Sequence, residues 1–105
     1  MRVLISIVVY GSSHEELSGA IASIEYEKLA VKVSIVIVDN FGCVGIKKLC
    51  QDNKWQYCCP RSNLGFGGGH NLATRVCKED YEIHLILNPD IILSAKTVNS
   101  CIDFM

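Results

Sequence analysis

No segment of this chain combines basic side chains with interleaved aromatic ones, the pattern typical of a nucleic-acid-binding surface. Ten lysine and arginine residues are balanced by eleven aspartate and glutamate residues, so the formal net charge is −1. The sequence therefore predicts no nucleic-acid partner. A small anionic ligand stays compatible with this balance, because a single loop at a helix N-terminus can bind one without bulk positive charge.

The sequence also lacks an apolar run long enough to cross a bilayer. The segment Val3–Tyr10 is apolar, but only Arg2 precedes it and two glutamates, Glu15 and Glu16, follow closely. It therefore does not match a signal peptide, and we interpret it as a buried strand. We expect a cytoplasmic location, peripheral to the inner membrane in a full-length form.

A third missing pattern is C-x-x-C, although the chain has six cysteines. The spacing is unlike that of a disulfide scaffold or a zinc site, and apolar strands can form a core without cross-links. We expect six buried, reduced thiols in a reducing compartment. They are an adjacent pair, Cys58-Cys59, and four single residues beside apolar positions, Cys43, Cys50, Cys77 and Cys101.

Apolar runs rich in β-branched residues alternate with stretches of helical periodicity along the chain. Four strands are predicted, at Val3–Tyr10, Val33–Val38, Trp55–Cys59 and Tyr81–Leu87. The first helix is expected to start near Ser13 or His14, and Ser94 is expected to cap the last. The expected inward faces carry Leu17, Ile21 and Ile24; Ile46, Leu49 and Cys50; Leu72, Val76 and Cys77; and Val98, Cys101, Ile102 and Met105.

This alternation predicts one α/β domain with a Rossmann-like, mainly parallel four-stranded sheet and helices on both faces. Right-handed crossovers favour the strand order 3-2-1-4. Ligands of such sheets bind beyond the carboxyl ends of the strands. Tyr10, Asp39 and Asp90 are expected together at that edge.

Two carboxylates at strand ends have alternative interpretations. Asp39 can accept hydrogen bonds from a ribose or a base, or it can cap the turn that follows it. Asp90 follows Pro89 and can hold a hard divalent cation against a diphosphate, or it can be the turn residue of Asn-Pro-Asp. Sequence position alone leaves both pairs of alternatives open.

The glycine-rich segment Asn63–Asn71 is the most unusual in the chain. Its glycines permit close approach to a ligand at a helix start, or they make a flexible connector. It is not the dinucleotide fingerprint, because His70 occupies the sixth position and the segment follows the third strand rather than the first. His70 can contact a phosphate, but a solvated or capping histidine is the more common case.

In this order the pieces resemble family 2 glycosyltransferases, which are inverting enzymes with a GT-A fold. The Asn-Pro-Asp form and the N-x-G-F-x-x-G-x-N pattern are similar to the rhamnosyltransferase-like members that build bacterial surface polysaccharides. The matching segments span nearly the whole chain. They are Ile5–Tyr10, Ile35–Asn40, Asn63–Asn71 and Leu85–Asp90.

The resemblance implies a nucleoside-diphosphate sugar as ligand, either a UDP- or a dTDP-sugar. The implied nucleotide-sugar-binding residues are Tyr10, Asp39, Asn63, Gly65, Gly69 and Asn71, with the glycines present because side chains would collide with the ligand. Asp90 is implied as the metal-binding acid of the family's D-x-D motif, for Mg²⁺ or Mn²⁺. Asn88 replaces the first acid of that motif, which leaves one charged ligand for the cation.

The implied reaction is attack of an acceptor hydroxyl on the anomeric carbon of the sugar, with inversion. The family's general base belongs to a second half, which binds a saccharide or lipid-linked acceptor. We therefore interpret residues 1–105 as the nucleotide-sugar-binding subdomain, truncated before the acceptor-binding half, without a catalytic residue of its own. Self-association through an exposed edge near Ile91–Leu93 is expected.

Two alternatives stay open. One is a catalytically inactive remnant or nucleotide-binding module. The other is an NAD-dependent oxidoreductase, because Asp39 sits where that fold places its ribose-binding acid. The missing fingerprint after the first strand argues against the oxidoreductase.

Overall fold

The computed structural model describes residues 1–11, 13–24, 29, 31–90 and 95–104. Four strands alternate with four helices in the predicted order. The strands are β1 (Arg2–Val9), β2 (Lys32–Asp39), β3 (Gln56–Cys58) and β4 (Ile83–Leu87). The helices are α1 (His14–Ile24), α2 (Val44–Asn53), α3 (Gly65–Val76) and α4 (Ala95–Phe104).

The four strands form one parallel sheet in the order β3-β2-β1-β4, which confirms the predicted topology. β1 pairs with β2 over its whole length, from Arg2 opposite Lys32 to Val9 opposite Asp39. On its other side β1 pairs with β4, with Ile7 opposite Leu87. The β-branched residues of β1 and β2 suit this central, doubly covered position.

One face of the sheet packs against α1, α2 and α4. The odd-numbered residues of β1 point to this side, because successive side chains of a strand alternate between faces. They form the larger core with buried residues of the three helices, and that core confirms the inward positions predicted for α1 and α2 that the structure describes. The helical members are Leu17, Ile21, Ile46, Leu49, Cys50, Val98 and Ile102.

The opposite face packs against α3 alone among the described helices. Leu4, Val36 and Val38 meet Ala73 there, with Val8 and Val76 partly buried around them. Gly69 makes this contact close: a Cβ at that position would lie 2.6 Å from Cγ2 of Val8. Helices on both faces were predicted, and the structure confirms them.

The glycine-rich segment differs from its expected form. We expected the run Gly65–Gly69 to lead into a helix, but α3 begins at Gly65 and the run is its first turns. A glycine inside a helix costs about 1 kcal/mol relative to alanine, but at Gly69 the packing on Val8 requires the absence of a side chain. Local sequence does not reveal that long-range contact.

The cysteines are less uniformly buried than expected. Cys50 is buried, but Cys59 and Cys101 are exposed and the other three are half-buried; none is in a disulfide. Cys101 does not share the buried face of Val98 and Ile102, because α4 is covered along a narrow stripe only.

Three expectations fall outside the described residues: the cap at Ser94, the unpaired edge near Ile91–Leu93, and the inward position of Met105. The side chain of Ile24 also lies outside them. Within the described segments, none of the helices has the length and apolar character needed to cross a membrane.

Candidate functional site at the carboxyl edge of the sheet

The carboxyl ends of the parallel strands meet at one edge, as predicted. Tyr10 follows β1, Asp39 ends β2, and Asp90 lies three residues beyond β4. β1 lies between β2 and β4, so Asp39 and Asp90 extend from strands about 10 Å apart, twice the spacing of neighbouring strands. This edge is where open α/β sheets bind ligands.

A pocket of about 260 Å³ opens at this edge, between the end of β1 and the start of α3. It contains three of the residues expected to bind a nucleotide-sugar, namely Tyr10, Asn63 and Gly65. Sequence analysis missed two lining residues, Asn40 and Phe66, to which it assigned no role. The remaining lining residues are Val8 and Val9.

Three large aromatic side chains around the pocket are solvent-exposed. Tyr10 and Phe41 meet edge to face with ring centroids 5.4 Å apart, and they are 61% and 62% exposed. Phe66, on the first turn of α3, is 57% exposed. Clustered exposed aromatics beside a concave site indicate a ligand with flat apolar faces. The signal in the sequence was an aromatic residue flanked by glycine or asparagine, at Asn40-Phe41-Gly42 and at Gly65-Phe66-Gly67.

Two asparagines shape the start of α3. Asn63 Oδ1 accepts a hydrogen bond from the backbone N–H of Gly65 at 2.8 Å. Asn40 bridges β2 to the same turn: its Oδ1 accepts from the N–H of Leu64 and its Nδ2 donates to the carbonyl of Gly65, both at 3.3 Å. Gly65 has a φ of 72°, which disfavours any residue with a Cβ. Gly65 is therefore needed for the backbone conformation, since a Cβ there would meet no protein atom within 4 Å.

Asp39 is buried and caps the turn after β2. Its Oδ1 accepts from the N–H groups of Phe41 and Gly42, at 3.0 and 2.9 Å. Its Oδ2 accepts from the N–H of Cys43 and the hydroxyl of Tyr57, both at 2.8 Å. A carboxylate offers about four acceptor positions, so these four donors occupy all of them. Of the two interpretations of Asp39, this geometry is that of the turn cap.

Asp39 also influences the pKa of two neighbouring groups, the hydroxyl of Tyr57 and the thiol of Cys50. Burial, the hydrogen bond to Asp39 and its negative charge all raise the pKa of Tyr57. Burial, followed by the charge of Asp39, raises the pKa of the Cys50 thiol to about 11. Both groups are therefore neutral at physiological pH, and Tyr57 keeps the proton that it donates to Asp39.

Gly69 and Asn71 do not line the pocket. We expected a side chain at Gly69 to collide with the ligand. In the structure it would instead collide with Val8 of β1, so helix–strand packing is the reason for this glycine. Asn71 is exposed on α3. Direct contact of either residue with a nucleotide-sugar stays a prediction.

Asp90 and Asn88 are both exposed in the segment after β4. Among the described residues no group of three histidine, cysteine, aspartate or glutamate side chains could hold a metal ion. One carboxylate and one amide oxygen nevertheless match Mg²⁺, which proteins commonly bind with one or two carboxylates while substrate phosphates complete the shell. These residues thus fit a cation whose coordination shell is completed by the phosphates of a bound diphosphate.

A buried polar cluster lies next to the pocket, and sequence analysis missed it. Ser6 Oγ lies 2.6 Å from His70 Nδ1 and 2.6 Å from His84 Nε2. His70 was expected to be solvated or capping, but it is only 3% exposed, because α3 lays it against β1. No sequence pattern links residues 64 and 78 positions apart.

The four-stranded parallel sheet with helices on both faces is an α/β fold that matches the N-terminal domain of a glycosyltransferase. In particular, the chain matches the crystal structure of S. aureus TarS 1–349, a glycosyltransferase, with a TM-score of 0.77 and 16% identity over 99% of its length. A second crystal structure of S. aureus TarS matches with a TM-score of 0.67 and 17% identity, again over 99% of the chain. No protein-family model and no curated protein sequence matches the chain.

The chain spans 32% of the first TarS chain and 20% of the second. At this level of identity the likeness shows the fold. Substrate and chemistry must be argued from the site.

Proposed function

We propose that this chain is the donor-binding part of a glycosyltransferase, and that its edge pocket binds the nucleoside of a nucleoside-diphosphate sugar. The observation that carries the proposal is the pocket itself, formed at the carboxyl edge of a glycosyltransferase-like sheet by aromatic rings and amide side chains.

The size of the pocket favours a nucleoside over a whole nucleotide-sugar. Its volume of about 260 Å³ lies just below the range of roughly 300–1,000 Å³ common for small-molecule sites. A base and its ribose match this space, while a diphosphate and a sugar must extend along the edge towards β4. Tyr10 and Phe66 offer ring faces on which a planar base can stack.

In the proposed nucleoside site, amide side chains rather than Asp39 make the polar contacts with the ligand. Asn40 and Asn63 line the pocket and carry both donors and acceptors, which suit the edge of a pyrimidine or the hydroxyls of a ribose. Asp39 acts through the loop that it caps, because its acceptor positions are filled by Phe41–Cys43 and Tyr57. The same saturation counts against an oxidoreductase in which this acid binds ribose.

Asp90, with Asn88 beside it, is assigned to a divalent cation, Mg²⁺ or Mn²⁺. When bound, such a cation neutralises the charge that develops on the leaving nucleoside diphosphate. The contribution of the chain is a carboxylate in the segment after β4, the strand next to β1, whose end lines the nucleoside pocket. Asn88 adds a neutral oxygen, so the affinity for metal is expected to be low without the diphosphate.

The full reaction would be attack of an acceptor hydroxyl on the anomeric carbon with inversion. It requires a general base to take the hydroxyl proton. Of the four strand ends, two carry a carboxylate; Asp39 is saturated and Asp90 is assigned to metal. We therefore expect these 105 residues to bind a donor without turning it over, with a saccharide or lipid-linked acceptor bound by another part of a complete enzyme.

The finer assignment rests on the sequence resemblance to family 2 enzymes of the rhamnosyltransferase-like type. It proposes UDP- or dTDP-sugars as donors, surface polysaccharide synthesis as the process, and a cytoplasmic enzyme peripheral to the inner membrane. A nucleotide-binding module without catalysis is the second candidate, favoured by the four hydrogen bonds that already fill the acceptor positions of Asp39.

Calorimetry with UDP and dTDP, with and without Mn²⁺ or Mg²⁺, tests the proposal. The wild-type chain is expected to bind at least one nucleotide more tightly with the metal. Asp90→Asn should abolish that enhancement, a loss of about 1.5–3 kcal/mol or roughly ten- to hundredfold in affinity, and should leave metal-free binding unchanged.

Asp103→Asn, which removes an exposed carboxylate from α4, is the matched control and should behave as wild type. If Asp90→Asn binds nucleotide and metal like the wild type, Asn-Pro-Asp is only a turn. If neither nucleotide binds under any condition, the donor-binding proposal itself is wrong.

A further inference from the structure

The cluster of buried Ser6 and His70 with half-buried His84 joins three elements at one point, namely β1, α3 and β4. The serine hydroxyl has one proton, so it donates to one imidazole and accepts an N–H from the other. The protonation states of the two rings are therefore linked through Ser6. A hydrogen-bonded chain of this kind, once buried, allows few arrangements of its members.

The cluster reaches the edge pocket by two routes. Phe66, one helical turn before His70, meets its ring edge to face with centroids 4.5 Å apart, and Phe66 lines the pocket. Ser6 and Val8 lie two residues apart on β1, and Val8 also lines the pocket. Gly69, the residue before His70, packs α3 closely against Val8, so His70 lies on the helical turn that contacts the wall of the pocket.

The cluster is poorly suited to a positive charge. His70 Nε2 is buried without a hydrogen-bond partner in the described structure, so the doubly protonated ring would carry an unpaired N–H there. Burial and then the nearby His84 lower the pKa of His70, and burial lowers the pKa of His84.

The other groups that face the cluster do not offset such a charge. Tyr81, in the segment before β4, places its ring 6.1 Å from that of His84. The facing residues of β2, Val36 and Val38, are apolar. At the far end of the same face, Arg2 and Glu79 are paired with each other at 3.0 Å.

We propose that His70 is a positioning residue for the nucleoside pocket: the neutral Ser6–His70–His84 cluster fixes Phe66, and uptake of a proton by the cluster releases that ring and weakens nucleoside binding. The proposal rests on the proposed function for its ligand. The contact between His70 and Phe66 is independent of the proposed function, because it exists without a ligand.

Nuclear magnetic resonance titration between pH 5 and 8 tests both the release of Phe66 and the weakening of nucleoside binding. Uridine and thymidine serve as probes because neither carries a titrating phosphate. Wild-type affinity is expected to fall towards tenfold per pH unit below the apparent pKa of the cluster. In the unliganded protein, the Phe66 ring signals should shift with the same apparent pKa as the histidine signals.

Two substitutions at His70 separate the effect of its titration from that of its hydrogen bond to Ser6. His70→Asn keeps a group able to bond Ser6 but leaves only His84 to titrate in the cluster, so its affinity should depend less on pH than that of the wild type. His70→Phe keeps an aromatic contact with Phe66 but cannot bond Ser6, so its affinity should be lower at every pH. His14→Asn, at an exposed histidine on α1, should keep the wild-type pH profile.

A wild-type pH profile in His70→Asn would overturn the proposal while leaving the pocket intact. If a His70 variant does not fold, His84→Asn and the wild-type ring signals provide the same test. If the wild type binds neither the nucleosides nor UDP, the proposed function fails. The Phe66 ring signals of the unliganded protein then test the positioning role by themselves. That role is overturned if these signals do not follow the histidine titration.

Discussion

Gly67 and Gly69 lie two positions apart on α3, yet their surroundings are opposite. A Cβ at Gly69 would lie 2.6 Å from Cγ2 and 2.9 Å from Cγ1 of Val8, whereas a Cβ at Gly67 would meet nothing within 4 Å. We therefore expect Gly69→Ala to lower the free energy of unfolding by about 1–3 kcal/mol through overpacking. Gly67→Ala should raise it by up to about 1 kcal/mol, because alanine favours the helix.

Urea unfolding of the two variants measures this difference. The double variant Gly69→Ala/Val8→Ala should recover part of the loss, since it removes the atoms that clash. Equal effects of the two single substitutions would show that Gly69 does not contact β1 as described.

At Asp39 a single carboxylate organises a whole loop. Asp39→Asn keeps the size of the side chain but replaces two acceptors by an amide NH₂ that faces donors, so we expect a loss of about 2–4 kcal/mol in stability. Nucleotide binding should weaken equally with and without metal, because Phe41 no longer holds its place beside Tyr10.

Thermal unfolding and calorimetry check these two effects. Asp52→Asn is the control, since that exposed aspartate makes only a surface ion pair with Lys48. A stable Asp39→Asn protein that loses nucleotide binding would instead indicate direct contact of Asp39 with the ligand.

The strands and helices were predictable from sequence because their signal is local: β-branched runs for β1 and β2, and a 3.6-residue period for α1 and α2. The edge that carries Asp39 and Asp90 followed from the topology. The roles of Gly69 and His70 did not follow, because each depends on a partner distant in sequence, respectively Val8 and Ser6. Residue type and spacing contain no record of such partners. For Asp39 the turn cap was one of two open alternatives, and the backbone donors of Phe41–Cys43 match it.

The contact between β1, α3 and β4 makes stability depend on pH. Burial lowers the folded-state pKa of His70, which is buried, and of His84, which is half-buried, below the usual value of 6.5. As the pH falls through 6.5, the unfolded chain takes up protons that the folded chain does not, so the free energy of unfolding decreases until the folded pKa is reached. The maximum slope is about 1.4 kcal/mol per pH unit for each histidine.

Urea unfolding between pH 5 and 8 should show this decrease in the wild type. His70→Asn should have a shallower slope, and His14→Asn should have the wild-type slope. Stability that rises as the pH falls from 7 to 5.5 would contradict the burial of the two imidazoles.

For the whole molecule, the six thiols differ in their accessibility. Cys59 and Cys101 are exposed, and Cys50 is buried with a pKa of about 11. Because the thiolate is the reactive form, we expect rapid alkylation of Cys59 and Cys101 in the native protein and slow alkylation of Cys50.

Mass spectrometry over a time course distinguishes the sites. Six modified thiols are expected after unfolding without reductant. A pair that stays protected after unfolding would show a disulfide and contradict the prediction of reduced cysteines.

The sheet order also has a consequence for synthesis and folding. β1 is made first, and its pairing with β2 can form as soon as Asp39 has emerged from the ribosome. Its other side must wait for β4, which ends at Leu87. Until then one side of this central strand offers unpaired N–H and C=O groups to any neighbouring chain. Closure of the β1–β4 pair spans most of the polypeptide, so the loop entropy of this one step is expected to slow folding.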